Sequence, residues 1–228
     1  MFEQLSVVTD SAPYLLEGMA VTLALVALSL FIGFLCGIVL TIGQVYGPWI
    51  IRKLVDVYVW FFRGLPNIVL LFLFFFALFP MTGFDIPAFA VAVVVLGLRS
   101  AAYQSQIFRG AIQSIADGQM LAARSLGMTR WQGVRYVILP QALRLSLPGW
   151  SNEYPVLLTD SAVAYVIGVA ELLTRASQIV SRTGEPMVVY LTCAILFILL
   201  NYGGMMIIQW VEKRVQIPGF GNNEVTET

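Results

Sequence analysis

The sequence predicts an all-α integral membrane protein with about five transmembrane helices, and three observations carry that prediction. Hydrophobic residues make up 59% of the 228-residue chain and charged residues only 11%, less than half of the roughly 25% that solvates a soluble domain. Mean hydropathy is +0.83. Gly18 to Ile51 and Pro186 to Val211 contain no Asp, Glu, Lys or Arg, and each exceeds the roughly 20 apolar residues that span a bilayer core. Leu65 to Pro80 and Ile86 to Leu98 are shorter runs of the same kind.

The elements follow in order. A first helix over about Gly18 to Val45 ends at Tyr46-Gly47-Pro48, where glycine and proline stop a helix. A second runs from about Lys53 to Phe79, with a break expected at Arg63-Gly64-Leu65-Pro66. A third covers about Ile86 to Gly110. A fourth, irregular one lies within Leu139 to Val169, where Pro148 and Pro155 interrupt it, and a fifth covers about Met187 to Arg214. This divides the chain into an N-terminal segment, 1–17, a membrane domain, 18–214, and a polar tail, 215–228. The N-terminus lacks a positive region and a cleavage pattern, so the first helix is expected to stay in the mature chain. Cys36 and Cys193 sit in apolar runs and read as small buried hydrophobes.

Basic residues set the expected orientation. Arg52 and Lys53, then Arg109, Arg124, Arg130, Arg135 and Arg144, then Lys213 and Arg214 mark one side; Glu3, Asp10, Glu17 and the connection Pro80 to Asp85 carry no basic residue on the other. The N-terminus is therefore expected outside and the C-terminus in the cytoplasm. Arg175 and Arg182 oppose this trend, accompanied by Glu171 and Glu185. Glu171 reads as a solvated loop charge.

The basic segment at 116–139 faces the cytoplasm in this scheme. Ala122 and Ala123 permit close backbone approach and Gly127 a bend, so it reads either as a helix docking on a partner or as a topological anchor. "GQMLAARSLGMTRWQGVRYVILPQALR" resembles the cytoplasmic coupling loop of ABC-importer permeases. That loop carries Glu-Ala-Ala, three residues, Gly, then Ile-x-Leu-Pro; Ala122, Ala123, Gly127, Leu139 and Pro140 match it, with Ile138 directly before Leu139. Leu121 stands where the family has glutamate. "FFRGLPNIVLLF", "LRSAAYQSQIFRGAIQSI" and "SNEYPVLLTDSAVAYVIGVAEL" extend the resemblance over most of the chain, to the polar amino-acid uptake group.

The resemblance implies the type I importer permease fold in a prokaryotic inner membrane. It also implies a second permease subunit (a copy or a relative), two cytoplasmic ATPases, an extracytoplasmic amino-acid-binding protein and an amino-acid substrate, with no nucleic acid. Ala122, Ala123, Ser125, Leu126, Gly127, Arg130 and Trp131 would couple to the ATPase. The chain has no G-x-x-x-x-G-K-[ST] loop, so ATP and magnesium chemistry is expected in another chain, with no cofactor and no enzymatic activity in this one.

Arg63, Arg99, Glu153 and Asp160 are ionisable groups at membrane depth, where such groups face a cavity or a partner. Glu153 and Asp160 are seven residues apart, two helical turns and about 20° from one line. Three readings stay open. The two acids could hold a cationic amino-acid side chain, they could be structural, or they could pair with Arg99 or Arg63. Thr159 stands where family members often have lysine before the aspartate, which favours the first. Asn152, Ser161 and Arg99 join them as candidate substrate contacts, Arg99 for an α-carboxylate. Arg63 reads as a snorkelling anchor and Phe72 to Phe79 as packing or lipid-facing surface. An ion-coupled carrier or channel is the alternative function; inverted repeats would favour it, and the sequence shows none.

Overall fold

The computed structural model describes the backbone of residues 2–215 and the side chains of residues 7–214. The first helix, α1, runs unbroken over Phe2–Tyr46. Residues 2–17 are thus its opening turns and not a separate segment, because Pro13 is accommodated inside the helix. The tail from 216 onward lies outside the described residues.

The long helix α5, Ala88–Ser114, packs along α1. Small residues bring the two backbones together, as in other membrane helix pairs. A methyl at Gly33 would sit 2.7 Å from Ser100 Oγ, and one at Gly97 2.9 Å from the Ile32 side chain. Ser29 and Thr41 of α1 donate hydroxyls to the Val93 and Ser105 carbonyls of α5, at 3.3 and 2.9 Å.

Between them, α2 (Trp49–Gly64) and α3 (Asn67–Phe72) meet at a sharp break. Pro66 forces Leu65 out of the helical region, to φ −100° and ψ 142°. The helix after it continues through a π segment, Leu73–Leu78, into α4, Phe79–Met81, and this second half is bent 108° from α2. The π turn precedes Pro80, whose missing N–H and ring would otherwise collide with the preceding turn. Phe74, Phe75 and Phe79 pack against the core formed by Leu70, Leu71, Leu96 and Leu157, whereas Phe72 and Phe76 are exposed.

The basic segment folds as α6, Gly118–Ser125, and α7, Arg130–Gly133. A second π segment, Val134–Ile138, before Pro140 joins α7 to α8, Leu139–Ser151. After a turn at Asn152 come α9, Glu153–Ser161, a 3₁₀ segment, Ala162–Ile167, and α10, Leu172–Thr183. The irregular fourth span, expected within Leu139 to Val169, thus divides at Asn152, and α10 beyond it is not among the expected elements. Asn152 separates α8 from α9, and Gly168, at φ 82°, turns the chain by 51° before α10. The last helix, α11, is Pro186–Val215.

Three described helices are long and apolar enough to cross a membrane, or up to five if each bent pair is one span. Only 6% of the apolar window of α11 is buried, against 61% for α5. The core therefore sits around α1 and α5, with α11 on the periphery. Cys193 is buried among Leu15, Leu172 and Ile179, and Cys36 is half-buried in α1.

Candidate functional site

The four charges at membrane depth gather around α5 and α9. Arg99 Nη1 pairs with Asp160 Oδ2 across the two helices. Their side chains remain 16% and 18% exposed. Asp160 is thus ion-paired with Arg99, the arrangement the third of the open readings described for the acids. Glu153 is 5% exposed, and its Oε1 accepts a 2.6 Å hydrogen bond from Ser100 Oγ. It makes no ion pair among the described residues. The two acids, expected to act alike, are thus held differently.

The positive side is built on one aromatic ring. Arg63 and Arg99 place their guanidinium carbons 4.8 and 5.0 Å from the centroid of Tyr103, where the ring quadrupole attracts both cations. Arg63, expected to anchor α2 at the interface, is exposed but leans on the same ring as Arg99. Asn67, just after the α2–α3 break, donates to the Asp160 carbonyl at 3.4 Å. Its Oδ1 and Arg99 Nε are buried without a hydrogen-bond partner among the described residues. One acceptor and one donor thus stay open beside the ion pair.

Two expected contacts look elsewhere. Ser161 is wholly buried and its hydroxyl donates to the Leu158 carbonyl at 2.6 Å; a serine inside a helix readily bonds back to the preceding turn. Asn152 is exposed and its amide lies 3.5 Å from the Pro148 carbonyl. Thr159, by contrast, is exposed and lines a cavity of about 370 Å³ between α9 and α11, with Leu158, Ala162, Phe197, Ile198 and Asn201.

Ser100, Tyr103, Gln104, Asn67 and Trp150 were not read as site residues from sequence. Two of them had a visible signal: Ser100 and Gln104 lie four apart, on one face of the helix that carries Arg99. Asp56 is a further acid within the second helix; Gln44 donates to it at 2.7 Å and accepts from Gln106 at 3.0 Å. Glu171, read as a solvated charge, is wholly buried. Its carboxylate caps α10, accepting from the Leu173 and Thr174 amides at 2.8 and 2.6 Å. The first amides of that helix need an acceptor, which explains a buried acid there. Arg175, which opposed the charge bias, pairs with Glu17 and lies over Tyr14.

The basic segment forms a helical hairpin with distinct inner and outer faces. α6 closes on Gly127, at φ 81°, whose amide bonds the Arg124 carbonyl while Met128 reaches back to Ala123. This paired pattern ends helices with a left-handed residue. Thr129 and Gln132 then cap α7 reciprocally, at 3.3 and 2.8 Å. Ala123 is 3% exposed and faces Gly133, so its small size serves packing within the hairpin. Leu121, Leu126 and Trp131 project outward at 69%, 80% and 61% exposure, and Ala122, Ser125 and Arg130 share the exposed surface.

Discontinuous membrane helices around a half-buried pair of opposite charges, beside a capped, apolar-tipped hairpin, define the membrane subunit of a solute transporter. The match is specific. The chain belongs to the family of binding-protein-dependent transport system inner membrane components, whose model matches residues 29–217. It is similar to the glutamine transport system permease protein GlnP of Escherichia coli (strain K12), 33% identical over 93% of this chain and 97% of that protein. It is likewise similar to the arginine transport system permease protein ArtQ of Bacillus subtilis (strain 168), 36% identical over 90% and 91%. A crystal structure of an amino acid ABC transporter with histidines superposes with a TM-score of 0.81 at 34% identity, covering 90% of this chain and 96% of that one. The chain is an amino-acid ABC-importer permease subunit with the expected all-helical permease fold.

Proposed function

We propose that this chain forms part of a translocation pathway for polar amino acids, with the Arg99–Asp160 pair binding the zwitterionic end common to them all. An arriving α-carboxylate would meet Arg99 and an α-ammonium would meet Asp160, each replacing the other protein charge. The observation that carries this reading is the pair itself, partly exposed and flanked by the open Arg99 Nε and Asn67 Oδ1. An ion pair surrounded by unmet polar groups can exchange partners with a ligand of both signs. A sealed structural pair would have its remaining groups satisfied.

Glu153 supports a second, finer reading. It is a buried carboxylate with one hydroxyl partner and no ion pair among the described residues, so a basic side chain would find its countercharge there. The relatives named for glutamine and for arginine transport are about equally similar to this chain, and the choice rests on Glu153. The N-terminus would lie outside, and Leu126, Trp131 and their neighbours would dock on ATPase subunits that hold ATP and magnesium. A second permease and a binding protein would complete an alternating-access importer.

The experiment is uptake of arginine, histidine and glutamine by the reconstituted transporter carrying Asp160→Asn or Glu153→Gln. Asp160→Asn should lower uptake of all three. Glu153→Gln should lower arginine uptake by about one to two decades, the range of a charge-assisted hydrogen bond, and spare glutamine. Unchanged uptake in Asp160→Asn would remove the pair from the pathway. Equal losses for arginine and glutamine in Glu153→Gln would make Glu153 structural.

A further inference from the structure

The groups behind Glu153 form a chain that returns to its own helix. Trp150 Nε1 donates to Gln104 Oε1 at 2.7 Å, Gln104 Nε2 donates to Ser100 Oγ at 2.9 Å, and Ser100 Oγ donates to Glu153 Oε1. Trp150 is near the end of α8 and Glu153 opens α9, so both ends of the chain grip the joint at Asn152. Gln104 and Ser100 lie one turn apart on α5, which carries Arg99.

Gln104 is wholly buried, and both ends of its amide are used. Besides Ser100, its Nε2 lies 3.3 Å from the Leu30 carbonyl of α1. Gly33 and Gly37 leave the space it occupies: a methyl at Gly37 would come within 3.1 Å of Gln104 Cβ. The Trp150 ring is also set edge-on against Phe34 of α1, at 6.3 Å between centroids. The clip is therefore anchored to the α1–α5 seam.

A rod leads into it. From Arg130 to Ser151, α7, the π segment and α8 follow one another with helical backbone at each junction, giving roughly 30 Å at 1.5 Å per residue. Its start lies in the hairpin that exposes Trp131, and Trp150 lies one residue from its end. Both sides of the joint are also tied to α11, where Ser151 at the end of α8 donates to Glu212 Oε2 at 3.1 Å and Tyr154 of α9 donates to the Leu200 carbonyl at 2.8 Å.

We propose that Gln104 is a positioning residue of the transport cycle. With Trp150 and Ser100 it fixes the Glu153 carboxylate relative to the end of the rod, so that displacement of the hairpin is delivered to the substrate charges. The inference rests on the transport reading above. In a rod that ended in apolar packing, the same displacement could dissipate as rotation about Asn152. Directional bonds on both sides of the joint oppose that rotation.

The test uses the transporter assembled with its ATPase and binding protein in vesicles, with amino-acid uptake and ATP hydrolysis measured on the same sample. Trp150→Phe keeps a ring beside Phe34 and removes the indole donor. Gln104→Met keeps most of the volume against α1 and removes both amide functions. Each should lower the amino acid moved per ATP by roughly two- to tenfold, the range for one or two buried hydrogen bonds. The double variant should be no worse than Gln104→Met alone, because the two share one chain. Should either larger variant fail to assemble, Ser100→Ala breaks the same chain without added bulk. A packing role would alter yield or melting and leave the transport-to-hydrolysis ratio at the wild-type value. That ratio in any assembled single variant overturns the proposal, as would losses that multiply in the double variant. A wild-type transporter that moves no amino acid would instead overturn the transport reading itself.

Discussion

The α1–α5 pair and the α8–α11 region are built on opposite principles. α1 and α5 are long, unbroken and locked by glycines and by hydroxyl bonds to the facing carbonyls. From α8 to α10 the chain is cut into short helices at Asn152 and Gly168, with Pro148 inside one piece and Pro155 in the next, and α11 is almost bare. The charged site lies between the two, with Arg99 on the seam and Asp160 on the segmented side. Irregular backbone within a membrane survives only where it is buried or lines a cavity. The division thus separates a frame from the parts that can be rearranged around a substrate.

The largest effect should come from disturbing the frame. Gly33→Val would push a branched side chain into Ser100 and Gln104, where the first methyl already lacks room. Overpacking of this kind costs about 1–3 kcal/mol and should appear as lost yield and a lower melting temperature in detergent. Gly203→Ala, in α11, meets nothing within 4 Å and should leave both unchanged. Equal melting temperatures for the two variants would erase the contrast.

Next come variants of the hairpin. Gly127→Val places a β-branched residue at φ 81°, a backbone strain of roughly 1–2 kcal/mol, and should abolish uptake while the chain still inserts. Leu126→Asp should release the ATPase without lowering the permease's melting temperature, because Leu126 is 80% exposed. Ala123→Trp, by contrast, should unfold the hairpin, since Ala123 is already packed against Gly133. A smaller result sharpens orientation: cysteines introduced near Asp85 and Asp117 should label from opposite sides, only the first from outside. Labelling of both from one side would require a different path for α5.

The frame was largely legible in the sequence. Long uncharged runs gave α1, α5 and α11 within a few residues, except that the uncharged run of α1 begins only at Gly18 whereas the helix begins at Phe2. Proline marked the α2–α3 break for a steric reason that holds in any context. The site was less legible. Seven-residue spacing placed Glu153 and Asp160 near one line, but a single helix period says nothing about which neighbour reaches each acid. Asp160 met Arg99 and Glu153 met Ser100, contacts between residues 61 and 53 positions apart. Glu171 was misread for a related reason, since a capping acid and a loop acid look alike until the fold buries one of them.

The difference between frame and segmented region is tested most directly by distance measurement between spin labels, with and without ATP, in the assembled transporter lacking Cys36 and Cys193. One pair, at Val39 and Gly110, reports the α1–α5 seam; a second, at Gly110 and Met206, reports the position of α11 against it. All three positions are exposed. The account predicts an unchanged first distance and a second that shifts by several ångströms on ATP binding. A first distance that shifts while the second stays fixed would contradict it.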